Sequence, residues 1–178
     1  MQLHGSPPQL AARVPTRSNM LRMFMIAAAS AAVLTLSSAA FAQETGGTAE
    51  EAKAMLVKAV AAVKADKTKA LEMFNNGEGG FRDRDLYVFC STLSDGKIVA
   101  VGNPNAKQLL GRDDRTLKDS TGKPFGEELL AGMEKPEGQF TMVSYMFPRP
   151  GADKTPVPKV SLVTRAGEDI GCGVGYYK

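Results

Sequence analysis

The sequence predicts an α+β fold with a mostly antiparallel sheet, and the order of its elements is the main reason. Helical patterns occupy residues 48 to 76, and short aromatic and β-branched runs follow in two groups that are separated by an irregular stretch. Helices and strands that are segregated along a chain favour α+β over an alternating βαβ design. With 43% hydrophobic and 23% charged residues, the composition is that of a globular chain.

Two helices are predicted at the start of the domain. Thr48 and Glu51 have the spacing of a capping box, in which each side chain accepts a hydrogen bond from the backbone N–H of the other residue. Apolar residues then recur at helical spacing over several turns. Asp66 interrupts the pattern, and a shorter helix from about residue 68 is predicted to end before Gly77, since glycine favours the left-handed conformation that ends helices.

Five strands follow these helices. Their predicted ranges are 85–91, 97–101, 139–147, 157–165 and 169–177. Asp95-Gly96 is a strong hairpin signal between the first two strands. The irregular stretch 103–136 contains short helical pieces, notably at 126–134. The connector 148–158 is a stiff loop because proline cannot donate to a sheet ladder.

Residues 1–42 have the features of an export signal. A charged start precedes an alanine-rich apolar stretch, and Ala40-Phe41-Ala42 matches the small-x-small pattern that signal peptidase reads. We therefore predict cleavage before Gln43, a periplasmic or secreted protein, and one domain over residues 43–178.

The beginning of this segment allows two further interpretations. Met20 is the natural start of such a signal, so residues 1–19 are an over-extended start or a long polar region. An uncleaved membrane anchor is the alternative to cleavage, although the stretch is weakly hydrophobic for a span. After cleavage we expect no stable membrane span.

Charge and histidine content exclude several classes of function. Three of the 22 basic residues and none of the 19 acidic residues precede residue 43, so the rest of the chain has 19 of each sign and offers no field for nucleic acid. His4, the single histidine, lies in the predicted signal, which leaves no imidazole base or ligand. We expect no catalysis and no cofactor; an enzyme that uses carboxylates is the alternative.

Asp113, Asp114 and Asp119 are the acidic residues that come nearest to a calcium loop. An EF-hand needs oxygen ligands at alternate positions, and Arg115 and Lys118 stand where ligands or neutral spacers belong. We therefore interpret the segment after Asp119 as a turn and predict no metal site.

Cys90 and Cys172 are the only cysteines of the chain. Both lie in apolar, strand-like segments, and an oxidising compartment allows them to pair. The even count favours a disulfide. Two separately buried thiols are the alternative.

Aromatic and basic residues converge on two neighbouring predicted strands. Tyr145 and Phe147 share one face of their strand, and Lys159 and Ser161 share one face of the next. If the strands pair, a ring, two hydroxyls and an ammonium line one surface, which suits a small carboxylate. A strand lysine is usually exposed, however, so the residues alone favour a solvated face.

Short motifs over nearly the whole predicted domain resemble the single Cache domain family, a group of extracytoplasmic, PAS-like sensor modules of bacteria. These motifs are Asp85-Leu-Tyr-Val-Phe-Cys90, Asp95-Gly96, Asn103-Pro104, Gly111, Lys118-Asp-Ser-Thr-Gly-Lys-Pro-Phe125, Tyr145-Met-Phe-Pro148, Pro158-Lys159 and Gly171-Cys-Gly-Val-Gly-Tyr176.

The resemblance implies a long N-terminal helix packed on a five- to six-stranded, mostly antiparallel PAS-like sheet. It also implies that the first and last strands are neighbours, which places Cys90 and Cys172 on adjacent strands. The ligand pocket lies between the sheet and the stretch 103–136, and the family's aromatic and Pro-Lys positions correspond to Tyr145, Phe147 and Lys159.

The resemblance therefore implies a sensor domain that binds a small organic acid or amino acid. Because the chain ends at Lys178, directly after the last strand, we expect the signal to pass to a separate membrane receptor or kinase. Family members often have Trp at the position of Phe147 and Tyr at that of Leu162. The alternative is a periplasmic protein-interaction module with the same fold and a filled pocket.

Overall fold

The computed structural model describes residues 46–178, and the predicted signal and its cleavage site lie outside them. The helices are α1 (Ala49–Ala65), α2 (Lys67–Asn76) and α3 (Phe125–Met133), with 3-10 helices at Pro104–Leu109 and Asp114–Thr116. The strands are β1 (Arg82–Asp83), β2 (Leu86–Thr92), β3 (Ile98–Val101), β4 (Thr141–Pro148), β5 (Pro156–Gly167) and β6 (Ile170–Tyr177). No helix between residues 46 and 178 is long and apolar enough to cross a membrane.

The strands form one antiparallel sheet in the order β4, β5, β6, β2, with β1 and β3 pairing to opposite ends of the far side of β2. The predicted α+β class and all five predicted strands are confirmed. The additional strand, β1, has only two residues, both charged and exposed, so no apolar pattern marks it.

Local signals determine the helical segment. Thr48 and Glu51 form both hydrogen bonds of the capping box. Asp66 has an extended backbone; its N–H donates to α1, while its side chain accepts from Lys69 N at 3.0 Å and begins α2. The N-terminal helix is thus a 17-residue segment followed by a separate one of 10 residues.

Both faces of the sheet are covered. α1 packs on β5 and β6 through residues such as Leu56 and Val63, which are buried with Val88 and Val174. The segment between β3 and β4 covers the opposite face, where Tyr87 and Phe89 point. Because successive side chains of a strand alternate between faces, β2 contributes to two separate cores.

The glycines of β6 follow the same alternation. Gly171, Gly173 and Gly175 face the segment between β3 and β4, and a Cβ on Gly173 would lie 2.4 Å from Phe89 Cζ. The residues between these glycines, Cys172 and Val174, face α1. The missing side chains on one face therefore leave room for bulky groups from neighbouring elements.

Cys90 and Cys172 form a disulfide that joins β2 to β6. They are register partners in the antiparallel pair, their Cα atoms are 4.0 Å apart, and both are fully buried. The predicted bridge is confirmed, and the alternative of two separate thiols is wrong.

Candidate ligand-binding site

A cavity of about 40 Å³ lies between the sheet and the segment that joins β3 to β4. Its polar lining comes from Asp114 and from the tyrosines Tyr87 and Tyr145, and the rest of the lining is apolar. The apolar lining residues are Phe89, Ile98, Val101, Ala106, Leu109, Leu117, Phe125, Leu129 and Phe147. The cavity is where the family resemblance implies a pocket.

Lys159 is buried beneath this cavity, with 1% of its surface exposed. Its Nζ donates to Tyr87 Oη at 2.7 Å and lies 4.1 to 5.2 Å from the ring centroids of Tyr87, Phe147 and Tyr177. No carboxylate among residues 46–178 forms a salt bridge with it. The interpretation of this strand face as solvated is therefore wrong.

Tyr145 is the register partner of Lys159 across β4 and β5. Its hydroxyl is 2.9 Å from Ser161 Oγ, and its ring stacks on Phe125 with centroids 4.2 Å apart and an interplanar angle of 4°. Burial raises the pKa of this phenol well above its ordinary value of 10.0. The hydroxyl therefore stays protonated and remains a potential hydrogen-bond donor.

The structure brings the four predicted site residues together but not into one layer. Tyr145 and Phe147 line the cavity, whereas Lys159 and Ser161 lie behind it, each hydrogen-bonded to a tyrosine that does line it. The ammonium of Lys159 thus contacts the cavity lining through the phenol of Tyr87. Tyr87 accepts from the ammonium and still has its own O–H to donate.

Tyr87 lines the cavity but was not predicted from the sequence as a candidate site residue. It alternates with Phe89 and Ser91 on one face of β2, and that periodicity was the available signal. The pairing of Tyr87 with Lys159 joins residues 72 positions apart. No local pattern connects positions that far apart along a chain.

Asp114 was missed as well, because the acidic cluster was considered only for metal binding. Its side chain is 2% exposed, lines the cavity, and accepts a hydrogen bond from Ser91 Oγ. Burial raises its pKa from 3.8 to about 6, against the opposing effect of that hydrogen bond and with a smaller contribution from the neighbouring charge of Asp113.

Asp119 has a structural role, as the predicted turn requires. Its Oδ1 accepts from Thr121 N at 2.8 Å, and its Oδ2 accepts from Met146 N on the outer edge of β4 at 2.9 Å. Hydrogen bonds, first of all that from the Thr121 hydroxyl, lower the pKa of this carboxyl. Within residues 46–178, no three acidic or cysteine side chains are grouped so as to hold a metal ion.

Leu109 and Phe147 separate the cavity from a depression of about 240 Å³ on the surface, since both residues line both spaces. The loop between β4 and β5 borders this depression, and Asn105 Nδ2 donates to the carbonyl of Gly151 in that loop at 2.6 Å. Two side chains therefore stand between the cavity and solvent on this side.

Gly175 is the position of β6 that gives Lys159 its space. A Cβ there would lie 2.3 Å from Lys159 Cε and 2.5 Å from Ser161 Oγ. We expect Gly175→Ala to lower the free energy of unfolding by about 1–3 kcal/mol through overpacking, measured by urea unfolding. Gly167→Ala is the control, because a Cβ there would have its nearest neighbour 3.2 Å away. Equal losses of stability in the two variants would contradict the conclusion that Gly175 leaves space for Lys159.

Comparisons with known proteins point to one family. Residues 25–177 match the family described as Single Cache domain 2. A periplasmic sensor domain of a chemotaxis protein is similar in structure, with a TM-score of 0.54, 25% identity, and coverage of 72% of this chain and 88% of that chain. No curated protein sequence matches the chain.

Two further solved structures share the fold. A methyl-accepting chemotaxis protein from Vibrio parahaemolyticus RIMD 2210633 has a TM-score of 0.57 and 22% identity, with coverage of 72% of this chain and 86% of that chain. A Cache chemosensory domain has a TM-score of 0.52, 23% identity and the same two coverages. With the family match over most of the sequence, the antiparallel sheet and the cavity beneath its covering segment, the chain belongs to the single Cache domain family.

Proposed function

We propose that this domain is a periplasmic or secreted sensor that binds a small carboxylate in the cavity and performs no catalysis of its own. The observation that carries the proposal is the buried ammonium of Lys159, which lacks a carboxylate partner among residues 46–178. Burying a charge without a counter-ion costs free energy, and an anionic ligand would offset that cost.

The route from ammonium to ligand is through Tyr87. Its oxygen accepts from Lys159 Nζ, so its proton points elsewhere, and its ring lines the cavity. A hydrogen bond from a charged donor polarises the phenol and strengthens its own donation to an anion. Tyr145, also protonated, provides a second hydroxyl at the same cavity.

The cavity limits the size of the ligand. A volume of about 40 Å³ holds roughly three water molecules, at about 10–15 Å³ for each. The apolar lining suits a short carbon chain, and the hydroxyls of Tyr87 and Tyr145 suit one carboxylate group. We therefore infer a ligand of the size of acetate or propionate.

The relatives support the same function. One structural neighbour is a Cache chemosensory domain in which carboxylic acid recognition has been described, and two others come from chemotaxis proteins. By analogy, we propose that binding is reported to a membrane receptor or kinase. The cavity beside Tyr145 argues against the alternative of an interaction module with a filled pocket.

A thermal-shift screen of the purified protein tests the proposal. At a ligand concentration of 100 times Kd, binding stabilises the folded state by about 2.7 kcal/mol, which corresponds to a shift in Tm of roughly 5–10 °C. We expect such a shift with at least one of acetate, propionate, lactate, pyruvate or a small amino acid. No shift with any of them in a folded sample would refute the proposal.

Lys159→Met tests the role of the ammonium. The thioether retains most of the buried stem and removes the charge, so we expect the affinity for the carboxylate found in the screen to fall about 10- to 100-fold, as for loss of a charge-assisted hydrogen bond. Isothermal titration measures the change. Lys118→Met, at an exposed lysine, is the control, and equal affinities in the two variants would remove Lys159 from the site.

A further inference from the structure

The carboxyl of Asp114 is a second polar group that faces the cavity. It belongs to the 3-10 helix Asp114–Thr116, and α3 packs closely against that helix, so that a Cβ on Gly126 would lie 1.8 Å from the Asp114 carbonyl oxygen. This packing places the backbone of Asp114 against α3, and the residue has 2% of its surface exposed. Its carboxyl is part of the cavity lining and accepts a hydrogen bond from Ser91 Oγ.

No cation neutralises this carboxyl within residues 46–178. Its single hydrogen bond there is the one from Ser91 Oγ to Oδ2, which leaves Oδ1 without a donor. The nearest basic residue in sequence, Arg115, pairs instead with Asp113, with Nε 2.9 Å from Oδ1 of that residue. A buried carboxylate with one unpaired oxygen is stabilised by a cation or by a second hydrogen-bond donor at that oxygen.

The lining of the cavity thus has polar groups of opposite character. Tyr87, backed by the ammonium of Lys159, offers a donor, and Asp114 offers an acceptor. Tyr87 accepts from Lys159 and Ser91 donates to Asp114; both are residues of β2, with Phe89 between them on the same face. A simple carboxylate would pair with the donor and leave Asp114 unpaired.

We propose that the ligand of this site is a small amino acid whose ammonium group binds Asp114 while its carboxylate binds Tyr87 and Tyr145. This inference rests on the proposed function, because it assumes a carboxylate in the cavity. One ammonium and one carboxylate on the ligand match one carboxylate and one ammonium of the protein, so the occupied site is neutral overall. Each charged group of the ligand then pairs with a buried charged group of the protein, and the pairing offsets the desolvation cost of that buried group.

Two series of ligands with equal carbon skeletons test the proposal by isothermal titration at pH 7. The first series is acetate, glycolate and glycine, and the second is propionate, lactate and alanine. Within a series only the α-substituent changes, from hydrogen to hydroxyl to ammonium. We expect the amino acid to bind about 10- to 100-fold more tightly than the unsubstituted acid, as for one charge-assisted hydrogen bond.

Asp114→Asn removes the charge and retains an acceptor for Ser91. In this variant we expect the amino acid to lose its advantage, while the affinity for the unsubstituted acid stays equal or rises. Asp113→Asn is the matched control, because that carboxyl pairs with Arg115 and does not line the cavity. It should leave both affinities unchanged.

The outcomes separate this inference from the proposed function. Tight binding of propionate or lactate with weaker binding of alanine would overturn the inference and keep the carboxylate sensor. An amino-acid preference that survives in Asp114→Asn would also overturn it. Failure of both series to bind to the folded wild type would overturn the inference and count against the proposed function together.

Discussion

Replacing Cys90 and Cys172 together by alanine is expected to lower the free energy of unfolding by about 4–5 kcal/mol. The bridge joins residues 82 positions apart. In the chain-entropy model, such a crosslink restricts the unfolded chain over most of the described domain, and the size of the effect increases with the logarithm of the loop length. A small domain has only about 5–15 kcal/mol of stability, so this loss is a large share of the total.

Urea unfolding of the oxidised wild type and the double variant measures the loss. Wild type that has been reduced before unfolding is the control, since it lacks the crosslink and retains both sulfur atoms. We expect its midpoint to lie close to that of the variant. A loss below about 1 kcal/mol in both samples would mean that the sheet packing of β2 against β6 stabilises the domain without help from the bridge.

The second large effect concerns Asp114 and pH. Its pKa is raised in the folded protein from 3.8 to about 6, so the folded state binds a proton more tightly than the unfolded state. The stabilisation from this group is fully present below pH 3.8 and is lost as the pH rises through about 6. The loss amounts to roughly 3 kcal/mol at 1.36 kcal/mol for each pKa unit.

Asp114→Asn should remove this dependence, because an amide does not titrate. We expect the free energy of unfolding of the variant, relative to wild type, to increase by roughly 2–2.5 kcal/mol between pH 4 and pH 7, because part of the full change lies outside this range. Residues 46–178 contain no histidine, so no imidazole titrates in this range. Urea unfolding at pH 4, 5, 6 and 7 gives the comparison, and a difference that does not change with pH would refute the assignment.

Asp113→Asn is expected to have the opposite sign. Hydrogen bonds from Arg115 lower the pKa of Asp113; its stabilisation is present above the ordinary pKa and is lost as the pH falls. The variant should therefore be less stable than wild type by a nearly constant amount between pH 4 and pH 7, and the difference should shrink only as the pH falls below 3.8. A stability difference that changes between pH 4 and pH 7 for Asp114→Asn but not for Asp113→Asn would separate the effect of burial from that of charge pairing.

Asp114 and Lys159 are both buried charged residues beside one cavity, where an apolar residue of similar shape would need no partner for a charge. Each is almost fully buried and neither has a counter-ion among the described residues. Buried charged groups beside a cavity are expected at positions where ligand binding, and not folding, determines which amino acid is present.

Much of the fold was predictable from local patterns. The capping box of Thr48, the interruption at Asp66 and the hairpin signal at Asp95-Gly96 each involve neighbouring residues, and the helices and the hairpin occur where these signals predict them. The two-residue strand β1 was not predictable, because pairing with β2 alone defines it.

The site was predictable only in part. Tyr145, Phe147, Lys159 and Ser161 share one side of the β4–β5 pair, as strand periodicity predicts. Their different depths relative to the cavity, and the presence of Tyr87 and Asp114 beside it, were not predictable. Contacts across the fold, such as that of Lys159 with Tyr87, depend on strand order, and periodicity along one segment contains no information about strand order.

Local spacing in the sequence determined where the helices and strands lie and which residues share a face of each strand. The sequence also determined that two cysteines are present and can pair. Only the tertiary structure decided which charged groups are buried. Lys159 and Asp114 are charged residues of a kind that is usually exposed, and they are candidate site residues because elements distant along the chain exclude water from both. Desolvation is a property of the assembled neighbours, so the chemistry of this site arises only when the sheet and its covering segment come together.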